Sequence, residues 1–259
     1  MLGSRLIQPV PARRAARGSY WRRPQVLGPE LETYKGNKIV MAVVVILGLF
    51  PLWLVYIAFT STPPEREFRI FTLVFLAVPL FFLVWLMSVR VTLHSDGISY
   101  RSLFGEKEMR WDLLERFGYE AVKRSVNFIP IGTYYLFRLK DSEGTKLRIG
   151  NRIERPAQLG QKLIEQTYPE LFKKVTDRFN SGQEVDFDAI RLSRAGGIKA
   201  KKLFGYHEIP WDQFGDCAIQ RGEFYIWRQG EKRPIGWGLH FVPNAFVLQG
   251  LLKSIVNRP

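Results

Sequence analysis

The sequence predicts an α-helical membrane hairpin followed by two successive α+β domains, each a small barrel or sandwich plugged at one end by a helix. Three observations lead there. Residues 39–59 and 70–89 hold no charged side chain. The set Gly97-Ile98, Leu103-Phe104-Gly105, Glu108, Trp111-Asp112 recurs as Gly197-Ile198, Leu203-Phe204-Gly205, Glu208, Trp211-Asp212, in one register and at a shift of about 100 positions. Each copy also runs through strand patterns before a single closing helix.

The hairpin comes first. Runs of about 20 residues at 1.5 Å rise extend roughly 30 Å, the hydrocarbon thickness of a bilayer, and in lipid a helix satisfies its own backbone groups. Trp53, Tyr56 and Trp85 lie toward the ends of the runs, as interfacial aromatics do, and Pro51 and Pro79 sit inside them. The polar stretch 60–69 is too short to fold alone. Residues 1–38 carry a surplus of Arg and Lys, with four prolines and no apolar period, and read as a disordered arm held in the cytoplasm. The predicted organisation is the arm over 1–38, the hairpin over 39–89, a first domain over 90–168, an amphipathic linker helix over 169–184 and a second domain over 185–259. Such a protein is multi-pass in the cell inner membrane, integral among membrane lipids by two spans, with N- and C-termini cytoplasmic.

Composition agrees with that placement. Cys217 is the one cysteine and cannot form an internal disulfide, which suits a reducing compartment. The net charge of +14 comes from 38 basic and 24 acidic residues and is spread over the chain, so no segment demands nucleic acid. Attraction to anionic lipid heads is the simpler expectation.

In the first copy Val91 to His94 alternates apolar and polar, Ser95-Asp96-Gly97 turns, Ile98 to Phe104 goes out, and Glu106 to Trp111 comes back past a bend at Gly105. Further strands are expected at Tyr119 to Val126, Tyr134 to Lys140 and Lys146 to Asn151. Tyr135, Phe137 and Leu139 form an apolar face, and Leu136, Arg138 and Lys140 turn increasingly basic. Pro156 opens a helix with a Leu159, Leu163, Ile164 stripe. Tyr168 to Phe179 is a second amphipathic helix that packs between the domains or lies on the membrane. The second copy is shorter, with strands at Glu223 to Arg228 and Trp237 to Phe241. Asn244 is placed to cap a helix that shows Val247, Leu248, Leu251, Leu252 and Ile255 on one face.

The hairpin, the turn-Gly-Ile, Leu-Phe-Gly and Glu-x-x-Trp-Asp pattern, and the terminal helix together resemble the tandem pleckstrin-homology-like (PH-like) domains of uncharacterised bacterial membrane proteins. The resemblance covers residues 89–258. It implies a seven-stranded, partly open barrel closed by a C-terminal helix in each copy, acting as a binding or assembly module and not as an enzyme. The tight turns Ser95-Asp96-Gly97 and Arg194-Ala195-Gly196-Gly197 leave no room for the basic loop by which phosphoinositide-binding relatives hold their ligand.

Several residues are candidates for function. Arg101, Lys107, Lys123 and Arg124 in the first domain and Lys199, Lys201 and Lys202 in the second form a candidate lipid or partner surface, against a background of ordinary solubilising charge. Gly105, Trp111, Asp112, Gly205, Trp211 and Asp212 form the repeated motif and read as architecture: a turn glycine, a core-anchoring indole and a turn-opening acid. His94, His207 and His240 lie apart from Cys217, so no metal ligand set is expected. Asp186/Asp188 and Glu106/Glu108 alternate along strands as solvated pairs, with no nucleophile, phosphate loop or tuned base beside them. No cofactor is expected.

The function expected from the sequence is a non-enzymatic scaffold presenting two PH-like domains at the inner membrane face, binding an unidentified protein partner with weak anionic-lipid contact, without nucleic acid and with room for homo-oligomers. The competing expectation is a membrane-bound enzyme.

Overall fold

The computed structural model describes residues 27–61, 77–78, 80–126, 129–202 and 205–256, apart from the side chains of 51, 54–55, 58–61, 124–126, 129–131 and 202. Strand β1 (Glu30–Lys35) leads into helix α1 (Lys38–Ser61). Helix α2 is described over residues 77–78 and 80–88. Strands β2 (Arg90–His94), β3 (Gly97–Ser102) and β4 (Gly105–Arg110) follow, and the sheet order is β1-β2-β3-β4, all antiparallel. Part of the stretch read as a disordered arm is therefore a strand: Thr33 pairs with Thr92 and Lys35 with Arg90. The two apolar runs are an insertion between paired strands. Their root is tied down by Asn37, whose N–H donates to the Arg152 carbonyl at 2.7 Å and whose Oδ1 accepts the Ile39 N–H at 2.9 Å, a cap for α1.

Among the described residues no helix is long and apolar enough to cross a membrane. The end of the second run lies in the protein body instead. Leu86 and Val89 are buried, and the Arg152 guanidinium sits 4.0 Å over the Trp85 ring. The absence of charge that suggested a span up to Val89 is, there, the absence of charge of a protein core. The two-span hairpin over 39–59 and 70–89 is not seen, and the integral partnership with membrane lipids and the multi-pass inner-membrane location with cytoplasmic termini lose their support with it. The arm residues 1–26, the connecting residues 62–69 and residues 70–76 lie outside the described residues.

A second sheet completes the first unit: β5 (Leu114–Val126), β6 (Ile129–Asp141) and β7 (Lys146–Gly150), in that order. The second unit repeats the plan. Strands β8 (Val185–Asp186), β9 (Ile190–Ser193), β10 (Gly197–Lys202) and β11 (Gly205–Ile209) form one sheet. Strands β12 (Phe214–Gln220), β13 (Glu223–Arg228) and β14 (Ile235–Gly238) form the other. Among the described residues no closed barrel forms; the expected partly open barrels are pairs of separate four- and three-stranded antiparallel sheets. Trp111–Leu113 in one unit and the 3-10 turn Trp211–Gln213 in the other carry the chain from sheet to sheet, where the ladder is interrupted.

Helix α3 (Pro156–Asn180) runs unbroken through Pro169, joining the predicted end of the first domain to the predicted linker helix. Leu159 and Leu163 are buried in its first half, Leu171, Val175 and Phe179 in its second, where it reaches β8. Helix α4 (Ala245–Val256) buries Val247, Leu248, Leu251 and Leu252 against β12 and α3. The buried residues of both units form one continuous apolar cluster, so the repeat is fused into a single core.

Candidate functional site

The hairpin β6–β7 has two unlike faces because side chains alternate along a strand. Phe137, Leu139, Leu147 and Ile149 are buried on one face. The other carries Arg138 and Lys140 on β6 and Arg148 and Lys146 on β7. Register makes these direct neighbours: Arg138 faces Arg148, Lys140 faces Lys146, and Arg116 of β5 faces Lys140 from the opposite side. Like charges directly opposite across a ladder are destabilising, so this grid of five cations works against the stability of its own sheet. Next to it β5 has Gly118, paired with Arg138, which leaves a low floor beside Arg138 at the end of its row.

The second unit supplies the wall. Asp188, His240 and Pro243 line a cavity of about 400 Å³ together with the five cations. Asp188 stands just before β9 with φ 61°, a left-handed conformation that costs a non-glycine residue, and its carboxylate meets Arg116 at 2.5 Å. Its N–H is held by Asp186 Oδ1 at 2.8 Å. Asn244, also left-handed at φ 56°, joins the units through backbone groups: its Oδ1 accepts the Phe117 N–H at 2.7 Å, its N–H donates to the Phe117 carbonyl at 2.7 Å, and its Nδ2 donates to the Glu115 carbonyl at 2.8 Å. Tyr119 packs edge-on against Phe246 with centroids 5.8 Å apart, and burial raises its phenol pKa. The groove is thus fixed by the same contacts that join the units.

Charge in the groove is unbalanced. Arg116 pairs with Asp188, and Arg138 with Glu120 at 3.2 Å. Among the described residues no ion pair reaches Lys140, Lys146 or Arg148. Five cations meet two carboxylates, and Arg138, Lys146 and Arg148 are exposed. The charged side chains that line the groove are therefore mostly cationic, with Asp188 and His240 on its far side.

The residues singled out from sequence are distributed differently. Arg101 and Lys107 are exposed on β3 and β4, Lys123 is exposed on β5, and Lys199 and Lys201 lie on β10. They belong to three sheets, and Lys199 pairs with Glu208 at 3.1 Å. The side chains of Arg124 and Lys202 are outside the description. Trp111 and Trp211 do the same job in each unit: the Trp111 indole N–H donates to the His94 carbonyl at 3.4 Å and that of Trp211 to the Arg194 carbonyl at 3.0 Å, closing the β2–β3 and β9–β10 turns. Asp112 pairs with Arg110 at 2.8 Å, and Asp212 is exposed. Gly105 and Gly205 have φ 125° and 91°, as tight hairpins require.

Of the acid pairs, Asp186 lies near Arg191 at 3.7 Å, Asp188 holds Arg116, and Glu106 and Glu108 lie on β4 opposite Arg101 and Ser99. His94 is engaged by the Gly28 carbonyl at 2.9 Å, His207 is in β11, and His240 alone reaches the groove. Among the described residues no three His, Cys, Asp or Glu are grouped to hold a metal ion. Cys217 is buried, and burial pushes its thiol pKa up to about 12. The cationic face of β6 was legible as Arg138-x-Lys140. Its continuation as Lys146-x-Arg148 is equally periodic and marks the same face once the turn at 141–145 folds the strands together.

Residues 22–258 match the model of a family described as Family of unknown function (DUF6585), across both units and the helices between β1 and β2. A comparison with curated proteins finds none that matches.

Proposed function

We propose that this chain, which belongs to the DUF6585 family, is a non-catalytic binding protein: a fused pair of similar sheet-and-helix units whose junction groove receives an anionic ligand and, through it or beside it, an assembly partner. The observation that carries this reading is the grid of Arg116, Arg138, Lys140, Lys146 and Arg148 on one sheet face, answered among the described residues by two carboxylates. A face that opposes like charges in register is costly in the free protein and is relieved when an anion binds. The reading as an enzyme gains no support from the groove, whose charged groups are almost all cations that neither attack nor take up a proton at neutral pH.

Calorimetric titration of the full chain with tripolyphosphate tests it. One equivalent is expected to bind, and affinity to fall steeply between low and moderate salt as exposed charges are screened. The triple variant Lys140→Gln/Lys146→Gln/Arg148→Gln loses that binding, whereas Arg101→Gln/Lys107→Gln keeps it. Equal binding by wild type and the triple variant removes the groove from consideration.

A further inference from the structure

From the count and spacing of these cations we infer that the groove is a reader of compact, soluble bisphosphates: small organic molecules carrying two phosphate monoesters on separate atoms. The inference rests on the anion-binding reading above and goes further by naming the ligand's chemistry.

The first argument is charge. The five cations exceed the two carboxylates paired with them, Asp188 and Glu120, by three. A phosphate monoester carries about −1.5 to −2 at neutral pH, so two of them neutralise that surplus, while one leaves the groove cationic. The second is geometry. Arg138 with Arg148 and Lys140 with Lys146 form two cross-strand pairs two residues apart along the hairpin. At 3.3 Å or so per residue the two pairs lie about 7 Å from each other, too far for one phosphate and suited to two on separate carbons.

The third argument is the kind of donor. Arg138 and Arg148 stand side by side, and a guanidinium presents paired N–H groups that match phosphate oxygens two at a time; Lys140 and Lys146 add point charges. The fourth is size and rigidity. About 400 Å³ is the volume of a small-ligand pocket and not of a track for a long polyanion, and its far wall is formed by Asp188, held in a left-handed conformation, and by Pro243, the residue before the Asn244 that joins the units. Gly118, beside Arg138 on β5, adds no side chain at that end of the Arg138–Arg148 row.

The experiment titrates the full chain in parallel with fructose 1,6-bisphosphate, fructose 6-phosphate, citrate, tripolyphosphate, and phosphatidylcholine vesicles with and without a bisphosphorylated headgroup lipid. The bisphosphate is expected to bind about thirtyfold more tightly than the monophosphate and about tenfold more tightly than citrate, as two fork-matched phosphates exceed one or a set of carboxylates. Arg148→Gln and Lys146→Gln each lower bisphosphate affinity about tenfold while leaving the thermal midpoint of the free protein unchanged or raised, since each removes a like-charge neighbour. Citrate binding as tightly as the bisphosphate overturns the phosphate inference and leaves the anion-binding reading standing. Binding confined to headgroup-bearing vesicles overturns the soluble source. Failure of every anion, tripolyphosphate included, overturns both readings.

Discussion

Asn244 treats Phe117 as a strand treats its neighbour, donating its N–H to the Phe117 carbonyl and accepting the Phe117 N–H on its side-chain oxygen, both at 2.7 Å, across 127 positions of chain. The side-chain amide mimics a backbone carbonyl, and its NH2 goes on to the Glu115 carbonyl. β5 is the edge strand of its sheet, with a register shift between Leu114 and Arg116, so a side chain from the other unit satisfies backbone groups on that outer edge. The Asn244 carbonyl meanwhile accepts the Leu248 N–H at 2.9 Å and starts α4.

Asn244→Gly is expected to cost about 2 kcal/mol in urea unfolding, because it keeps the left-handed backbone and strands a buried Phe117 N–H. Asn244→Ala adds the left-handed penalty of a Cβ, about 1 kcal/mol more. An Ala variant no less stable than the Gly variant contradicts the φ argument.

Two glycines on the repeated hairpins separate backbone angle from space. Gly105 has φ 125° and nothing within 4 Å of an added Cβ, whereas at Gly197, φ 83°, that Cβ would lie 2.4 Å from the Ile209 carbonyl oxygen. Gly105→Ala should cost about 1–2 kcal/mol from angle alone, and Gly197→Ala about 3 kcal/mol or more from angle plus collision. Chemical denaturation of the two single variants checks the order.

Cys217 is expected to resist alkylation in the folded protein and to react once the chain is unfolded, as mass spectrometry after iodoacetamide treatment would read. Its thiol pKa is raised by burial first and by the Asp216 carboxylate second, to about 12 from an ordinary value of 9.0. Raised in the folded state, it adds stability below the ordinary thiol value, and that contribution is lost as pH climbs from about 9 toward 12. Cys217→Ala should flatten the alkaline fall in stability over that window; an unchanged alkaline limb would refute the linkage.

The two tryptophans hold equivalent turns. Trp211→Phe and Trp111→Phe should each lose about 1 kcal/mol, with the larger loss at Trp211, whose bond is 3.0 Å against 3.4 Å. Because the two bonds share no partner, the double variant should show the sum of the single losses in the same unfolding assay.

The repeat, the turn glycines, the indoles and the alternation that buries Phe137 and Leu139 while exposing Arg138 are all written in local order. Strand and helix periods come from backbone geometry that every residue shares, so a face can be read from neighbours two or four positions away. What local order could not show is which faces meet. Uncharged residues 70–89 read alike as span or core until Leu86 and Val89 are placed, and β1 reads as an arm until it pairs with β2 across the two helices. The groove divides the same way. Its cations stand on three adjacent strands and follow from period two, but Asp188, His240 and Pro243 reach it only because α3 and α4 bury their apolar stripes in one shared core. Those contacts join residues more than 70 positions apart, and chain connectivity alone does not choose among the partners that packing selects.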